Sequence, residues 1–310
     1  MLTCHAAESQ ARDVVQAKPQ LWSTVNHSIS KVQVQILKNF HTKVSCVGVT
    51  RCGNFGVLGF ANGIITKFNM QSGKERGVFA LDAKNPVGEA IHTGEVSGLG
   101  IDSMNRYLVS CSKDRTVKLW DFYRCKLIKT YCTDFPINTL SYNQVNDLVA
   151  FSTSDLSMTI LNPQAGLKRV RYFANAASNQ INDVCFSQPD SKWLLNCSMD
   201  CCVRVWDIVT GSLVDWIKFK YAPLSLDFSP SGEFLATSHL NSKAVFLWSN
   251  KAFFQQVVIQ RVPTQATEID LPVCQSTSAQ KRSHRDFYHL NDEEKKTEEA
   301  AAVPELSLVQ

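Results

Sequence analysis

The sequence predicts an all-β protein of repeated four-stranded units arranged as a β-propeller. Three observations carry that prediction: a recurring string that ends on an aromatic residue, the spacing of its copies, and the strand-and-turn grammar between them. Residues 112–121 read S-K-D-R-T-V-K-L-W-D and residues 198–207 read S-M-D-C-C-V-R-V-W-D. Residues 242–248 read S-K-A-V-F-L-W, with Ser249 where the last Asp would fall. Residues 153–162, T-S-D-L-S-M-T-I-L-N, keep the Asp and put Leu161 in place of Trp. Upstream, residues 59–69 read G-F-A-N-G-I-I-T-K-F-N, with Phe68 in the aromatic position.

The markers Phe68, Trp120, Leu161, Trp206 and Trp248 are 52, 41, 45 and 42 residues apart. Three of these intervals sit at or near the ~40–45 residues of a WD40 repeat. The long first interval is ascribed to an inserted loop around Ala80–Ile91, which contains Asn85-Pro86 and Gly88.

Each unit repeats one grammar of short strands bounded by turn residues, the signature of an all-β array. Opening strands are expected at Val44–Val49, Val96–Ile101, Ile137–Tyr142, Ile181–Phe186 and Leu224–Phe228. Second strands follow at Phe55–Gly59, Tyr107–Cys111, Leu148–Ser152, Trp193–Cys197 and Phe234–Thr237, and the marker strand comes third. Fourth strands are expected at Leu127–Tyr131, Lys168–Phe173 and Leu213–Lys218. The domain reading is a remnant of a preceding blade at 1–39, with a strand pair in Leu21–Leu37, then propeller blades over 40–262. A linker and a disordered charged tail are expected over 263–310.

Composition fits a globular body. Apolar residues make up 44% and charged residues 19%, enough for a sizeable core. Residues 1–262 hold 27 Lys/Arg against 19 Asp/Glu, whereas residues 263–310 hold 5 against 9. A mildly basic body with an acidic tail is compatible with work near RNA or phosphorylated partners. The 11 cysteines lie in apolar strand-like segments, as buried free thiols do. No secretory signal or bilayer-length apolar run is present, so an intracellular, reducing setting is expected, with no membrane partner.

The polar residues of the repeat suggest structure before chemistry. In unit two, His92, Ser112, Asp114 and Trp120 resemble the hydrogen-bonded set inside a WD-repeat blade. A buried carboxylate needs donors, an imidazole bridges donor and acceptor, and an indole N–H needs an acceptor. Asp155, Asp200, Trp206 and Trp248 are the corresponding blade residues elsewhere. Unit one keeps His41 but has Phe68 for Trp, and unit four has Ala177 or a neighbour where His would stand. Unit three, with neither His nor Trp, is expected to be the least stable. A hydrolase triad is rejected because these residues recur with the repeat and no G-x-S-x-G elbow accompanies them. Cys201 and Cys202 lack the partner pair that a zinc site needs, and at least one should point into the sheet. No metal, cofactor or small-molecule substrate is expected. Basic side chains at strand edges and turns, Lys113, Arg115, Lys168, Arg169 and Arg171, are candidate contacts for an RNA backbone.

Beyond the generic repeat, several strings resemble one family. They are T-R-C-G-N-F-G-V-L-G-F at 50–60, F-N-M-Q-S-G at 68–73, I-N-D-V-C-F-S at 181–187, S-M-D-C-C-V-R-V-W-D-I-V-T-G at 198–211, S-P-S-G-E-F-L-A-T-S-H at 229–239 and F-L-W-S-N-K at 246–251. Together they are similar to the second propeller of the family of WD repeat-containing protein 36 and small nucleolar RNA-associated protein 21. That resemblance implies a non-catalytic scaffold subunit of the small-subunit processome, the nucleolar assembly that processes pre-ribosomal RNA towards the small subunit. It implies processome proteins, and pre-rRNA or snoRNA, as partners, and nucleus and nucleolus as location. A different class of function is a generic WD adaptor, such as a ubiquitin-ligase substrate receptor or a chromatin-complex subunit. The family carries two propellers and a helical domain, so this chain reads as a truncated piece. Five blades form an incomplete ring that leaves sheet faces uncovered and predicts poor solubility without a partner.

Overall fold

A computed structural model describes residues 43–79, 92–250 and 262–272 fully, and the backbone of strands at 2–6, 17–23, 28–29 and 305–306. A three-stranded sheet comes first, β1 (Leu2–Ala6), β2 (Ala17–Ser23) and β3 (Ser28–Ile29). Blade one is β4 (Val44–Val49), β5 (Phe55–Phe60), β6 (Ile65–Asn69) and β7 (Glu75–Val78). Blade two is β8 (Val96–Ile101), β9 (Tyr107–Ser112), β10 (Thr116–Asp121) and β11 (Lys126–Cys132). Blade three is β12 (Ile137–Tyr142), β13 (Val149–Thr153), β14 (Met158–Asn162) and β15 (Lys168–Phe173). Blade four is β16 (Ile181–Phe186), β17 (Trp193–Ser198), β18 (Cys202–Asp207) and β19 (Leu213–Phe219). Blade five is β20 (Pro223–Phe228), β21 (Phe234–His239) and β22 (Val245–Asn250).

Within each blade the strands run antiparallel, and the repeat holds down to register. All five first-to-second pairings carry one irregularity near the start of the opening strand, for instance between Val96 and Gly98 or Ile181 and Asp183. Blades one to four carry a second at the aromatic marker, beside Phe68, Trp120, Leu161 and Trp206. Such bulges increase local twist, which successive blades need to fan out about an axis. The first strands of neighbouring blades pack side by side. Residues of β4, β8, β12, β16 and β20, with Gln144 beside them, line one cavity of about 300 Å³. These are therefore the inner strands, and β7, β11, β15 and β19 are the outer ones.

Burial explains the sequence patterns. Strands between two blades are covered on both faces, as in β13, V-A-F-S-T, where every residue is buried, Ser152 and Thr153 included. Blade five instead alternates: Leu226, Phe246 and Trp248 face blade four, whereas Leu224, Val245 and Leu247 are exposed. Blade five thus carries an exposed apolar face among the described residues.

The turn between second and third strands is left-handed at one equivalent position in every blade: Gly63 (φ 84), Arg115 (φ 67), Leu156 (φ 66), Cys201 (φ 65) and Asn241 (φ 63). Four blades accept a side chain there. Blade one cannot, because a Cβ on Gly63 would fall 1.9 Å from the His92 carbonyl oxygen of blade two. The bare backbone lets Gly63 O accept the His92 N–H at 3.2 Å, which seats the next blade's histidine. The same turn position accounts for Cys201, while Cys202 is buried in the sheet as expected.

Two findings lie in the segment read as linker and tail. β23 (Thr267–Ile269) adds to blade four as a fifth strand, parallel to β19, and β24 (Glu305–Leu306) runs parallel to β22. Ile269 and Leu271 pack on the core shared by blades four and five. The expected strand alternation at 32–37, the inserted loop at 80–91, His41, and the rest of the charged tail lie outside the described residues.

Candidate functional site

Blade two holds one continuous chain of hydrogen bonds, and its serine is Ser110, not Ser112. Trp120 Nε1 donates to Ser110 Oγ at 2.9 Å, and Ser110 Oγ lies 2.9 Å from His92 Nε2. His92 Nδ1 is 2.8 Å from Asp114 Oδ2, and Thr116 Oγ1 donates to Asp114 Oδ1 at 2.6 Å. Ser112 serves the turn instead, accepting the Asp114 N–H at 3.1 Å. The reason is geometric. Trp120 pairs with Leu108 across the strands, so its side chain shares a face with Leu108 and Ser110. Thr116 was not anticipated.

Burial lowers the pKa of His92, and its Asp114 contact offsets this only in part. The imidazole is therefore neutral, with the proton on Nδ1 so that Nε2 accepts from Ser110. Burial works against the charge of Asp114, but the bonds from His92 and Thr116 outweigh it and hold the carboxyl well below the usual range. His92 and Ser110 have no exposed surface, so the pair lies between strands and does not open onto solvent. Ser110→Ala strands two buried partners, the indole N–H and His92 Nε2. The expected cost is about 1–3 kcal/mol by urea denaturation; an unchanged midpoint contradicts the network.

Other blades solve the same problem with other residues. In blade four, Trp206 Nε1 donates to Asn196 Oδ1 at 2.9 Å, and no imidazole takes part among the described residues. Asp200 instead pairs with Arg204 at 2.8 Å, accepts from Ser198 Oγ, and caps the Ser178 N–H. Ala177 is simply packed in the core. In blade five, Trp248 Nε1 donates to Thr237 Oγ1 at 2.9 Å, and Thr237 Oγ1 meets His239 Nε2 at 2.9 Å. That imidazole comes from β21, not from the loop before the blade, and its Nδ1 donates to the Tyr221 carbonyl at 3.0 Å. In blade three, Leu161 and Phe151 fill the Trp and Ser places, both fully buried. Asp155 there accepts from Thr153 Oγ1 and from Ser157 Oγ, the latter at 2.8 Å, and closes its own turn.

The basic candidates separate into two groups. Arg171 is bound structurally: its Nε donates to Ile208 O at 3.1 Å and Nη2 to Val209 O, tying β15 to the turn of blade four. Lys113 pairs with Glu95 at 2.6 Å. Arg115 and Lys168 are exposed, and Arg169 lies over the Tyr172 ring at 5.8 Å. The five therefore do not form one free cationic strip.

Residues 2–272 match the profile of the WDR36/Utp21 second β-propeller domain. The chain belongs to the WDR36/Utp21 family. It is 33% identical over 246 residues to human WD repeat-containing protein 36, covering 78% of this chain and 26% of that protein. It is 36% identical over 214 residues to U3 small nucleolar RNA-associated protein 21 of Saccharomyces cerevisiae, covering 69% of this chain and 21% of that protein. The Schizosaccharomyces pombe homolog is 31% identical over 258 residues, 83% of this chain and 26% of its own length. The chain thus spans about a quarter of the length of these family members. The matched residues take in the N-terminal sheet, all five blades and β23.

Proposed function

We propose that the chain is a non-catalytic scaffold propeller of the nucleolar small-subunit processome, supporting pre-rRNA processing and maturation of the small ribosomal subunit. The observation that carries the reading is the match of residues 2–272 to one propeller of a family whose members include proteins named for association with U3 small nucleolar RNA. A propeller alone does not determine function. The blades support a binding role, because His92 and Ser110 of the Ser–His–Asp set in blade two have no exposed surface. What remains accessible is surface: turn ends, outer edges and the uncovered face of blade five.

Depleting the protein in its source cell tests this reading. The expected result is accumulation of precursors of the small-subunit rRNA with a falling small-to-large subunit rRNA ratio. Unchanged rRNA processing, with recovery of ubiquitin-ligase or chromatin subunits on purification, overturns it in favour of a general adaptor.

A further inference from the structure

We propose that the free outer edge of blade three is a docking strip for an acidic, extended segment of a partner protein, added as a strand. The molecule carries its own example one blade further on. β23 lies parallel to β19, and Lys218 faces Glu268 across the register with Nζ and Oε1 2.8 Å apart. The neighbouring Ile269 reaches the buried core of blades four and five. An outer strand of this propeller therefore accepts an extended segment when an acidic side chain meets its lysine and an apolar one finds a surface.

β15 offers the same chemistry with the position open. It is the last strand of its sheet, and among the described residues no strand pairs with its outer side. Its six residues, K-R-V-R-Y-F, include no acid. Lys168 and Arg169 are exposed beside Val170 and Tyr172, each 47% accessible. The Arg171 bonds to Ile208 and Val209 hold the strand against blade four, so an incoming segment meets an edge that needs no ordering. Edge lysines ordinarily discourage strand addition. Lys218 does not discourage β23, because Glu268 neutralises it. The same guard on β15 rejects neutral or basic strands and selects acidic ones. RNA is disfavoured on this strip: Arg171 is committed to backbone carbonyls, and Arg169 already covers one face of the Tyr172 ring.

The inference deepens the scaffold reading by naming the chemistry of one partner, and its test uses purified components, separate from the rRNA assay. Fluorescence anisotropy compares three probes on the full chain. They are an extended peptide alternating glutamate with valine and threonine, the same peptide N-methylated at alternate backbone positions, and a single-stranded oligouridine. The acidic peptide should bind, and Lys168→Glu with Arg169→Glu should weaken it by about tenfold or more. N-methylation, which removes strand donors and leaves charge intact, should abolish binding. Near-UV circular dichroism checks that the variant keeps its fold, and Lys168→Ala with Arg169→Ala is the milder replacement if it does not. Absence of peptide binding, equal binding of the N-methylated peptide, insensitivity to both double variants, or stronger dependence of oligouridine than of peptide on these residues each overturns the proposal.

Discussion

Arg204→Ala should destabilise the protein by about 3–5 kcal/mol, the range for removing one partner of a buried ion pair. Arg204 is 6% exposed and is the cation that meets the Asp200 carboxylate in a blade whose network lacks an imidazole. Burial penalises the charge on Asp200, and the hydrogen bonds from Arg204 and Ser198 more than repay that penalty. Without the guanidinium the carboxylate is left in a half-dry turn. The truncation also removes a cation stacked 5.0 Å over the Trp216 ring, so a double-mutant cycle is needed to separate the two. Asp200→Asn placed in the Arg204→Ala background should recover a substantial part of the loss, because no stranded charge remains. Urea denaturation of the four proteins measures this. A single-variant cost under about 1 kcal/mol, the range of an exposed pair, contradicts the assignment.

Asp215→Asn should act in the opposite direction and stabilise the protein by about 2–3 kcal/mol at pH 7. Asp215 is 9% exposed, Oδ1 accepts the Trp216 N–H at 2.8 Å, and Oδ2 has no partner among the described residues. Burial is the main cause that pushes its carboxyl up to about 6, and the Trp216 bond only moderates it. The folded value lies above the ordinary value of 3.8, so between them the native state holds more protons than the unfolded chain. Stability from this group is fully present below the ordinary value and is lost as pH rises through the folded one. The gain from Asn should therefore be largest above pH ~6 and vanish towards pH ~4. A gain that stays constant over that range points to packing instead of charge.

The sequence was most legible where one residue reports on its own neighbours in the chain. Blade order, the inner strands and the outer strand of blade three emerge from the W-D strings, apolar runs and turns almost residue for residue, whereas the second strands and the outer strands of blades two and four end a residue or two from their expected bounds. The networks were less legible because their partners are set by register across strands. Ser112 sits beside Asp114 in the turn, but the indole reaches Ser110, ten residues before Trp120. A small polar residue ten or eleven before the marker also occurs at Asn196 and Thr237, a signal that was available. Arg204 reads as an ordinary outward strand charge until Asp200 is seen beside it. β23 was hidden for a different reason. Three residues, T-E-I, carry no periodicity, and what makes them a strand is the free edge of blade four, half a hundred residues away.

The proposed function places this propeller in a U3-associated nucleolar assembly. The most direct measurement is recovery of RNA with the tagged protein, expressed at its natural level and purified from nuclear extract. The account predicts strong enrichment of U3 small nucleolar RNA over other abundant small RNAs, with the protein concentrated in the nucleolus. Recovery of no U3 above background, with the protein spread through the cytosol, would contradict it.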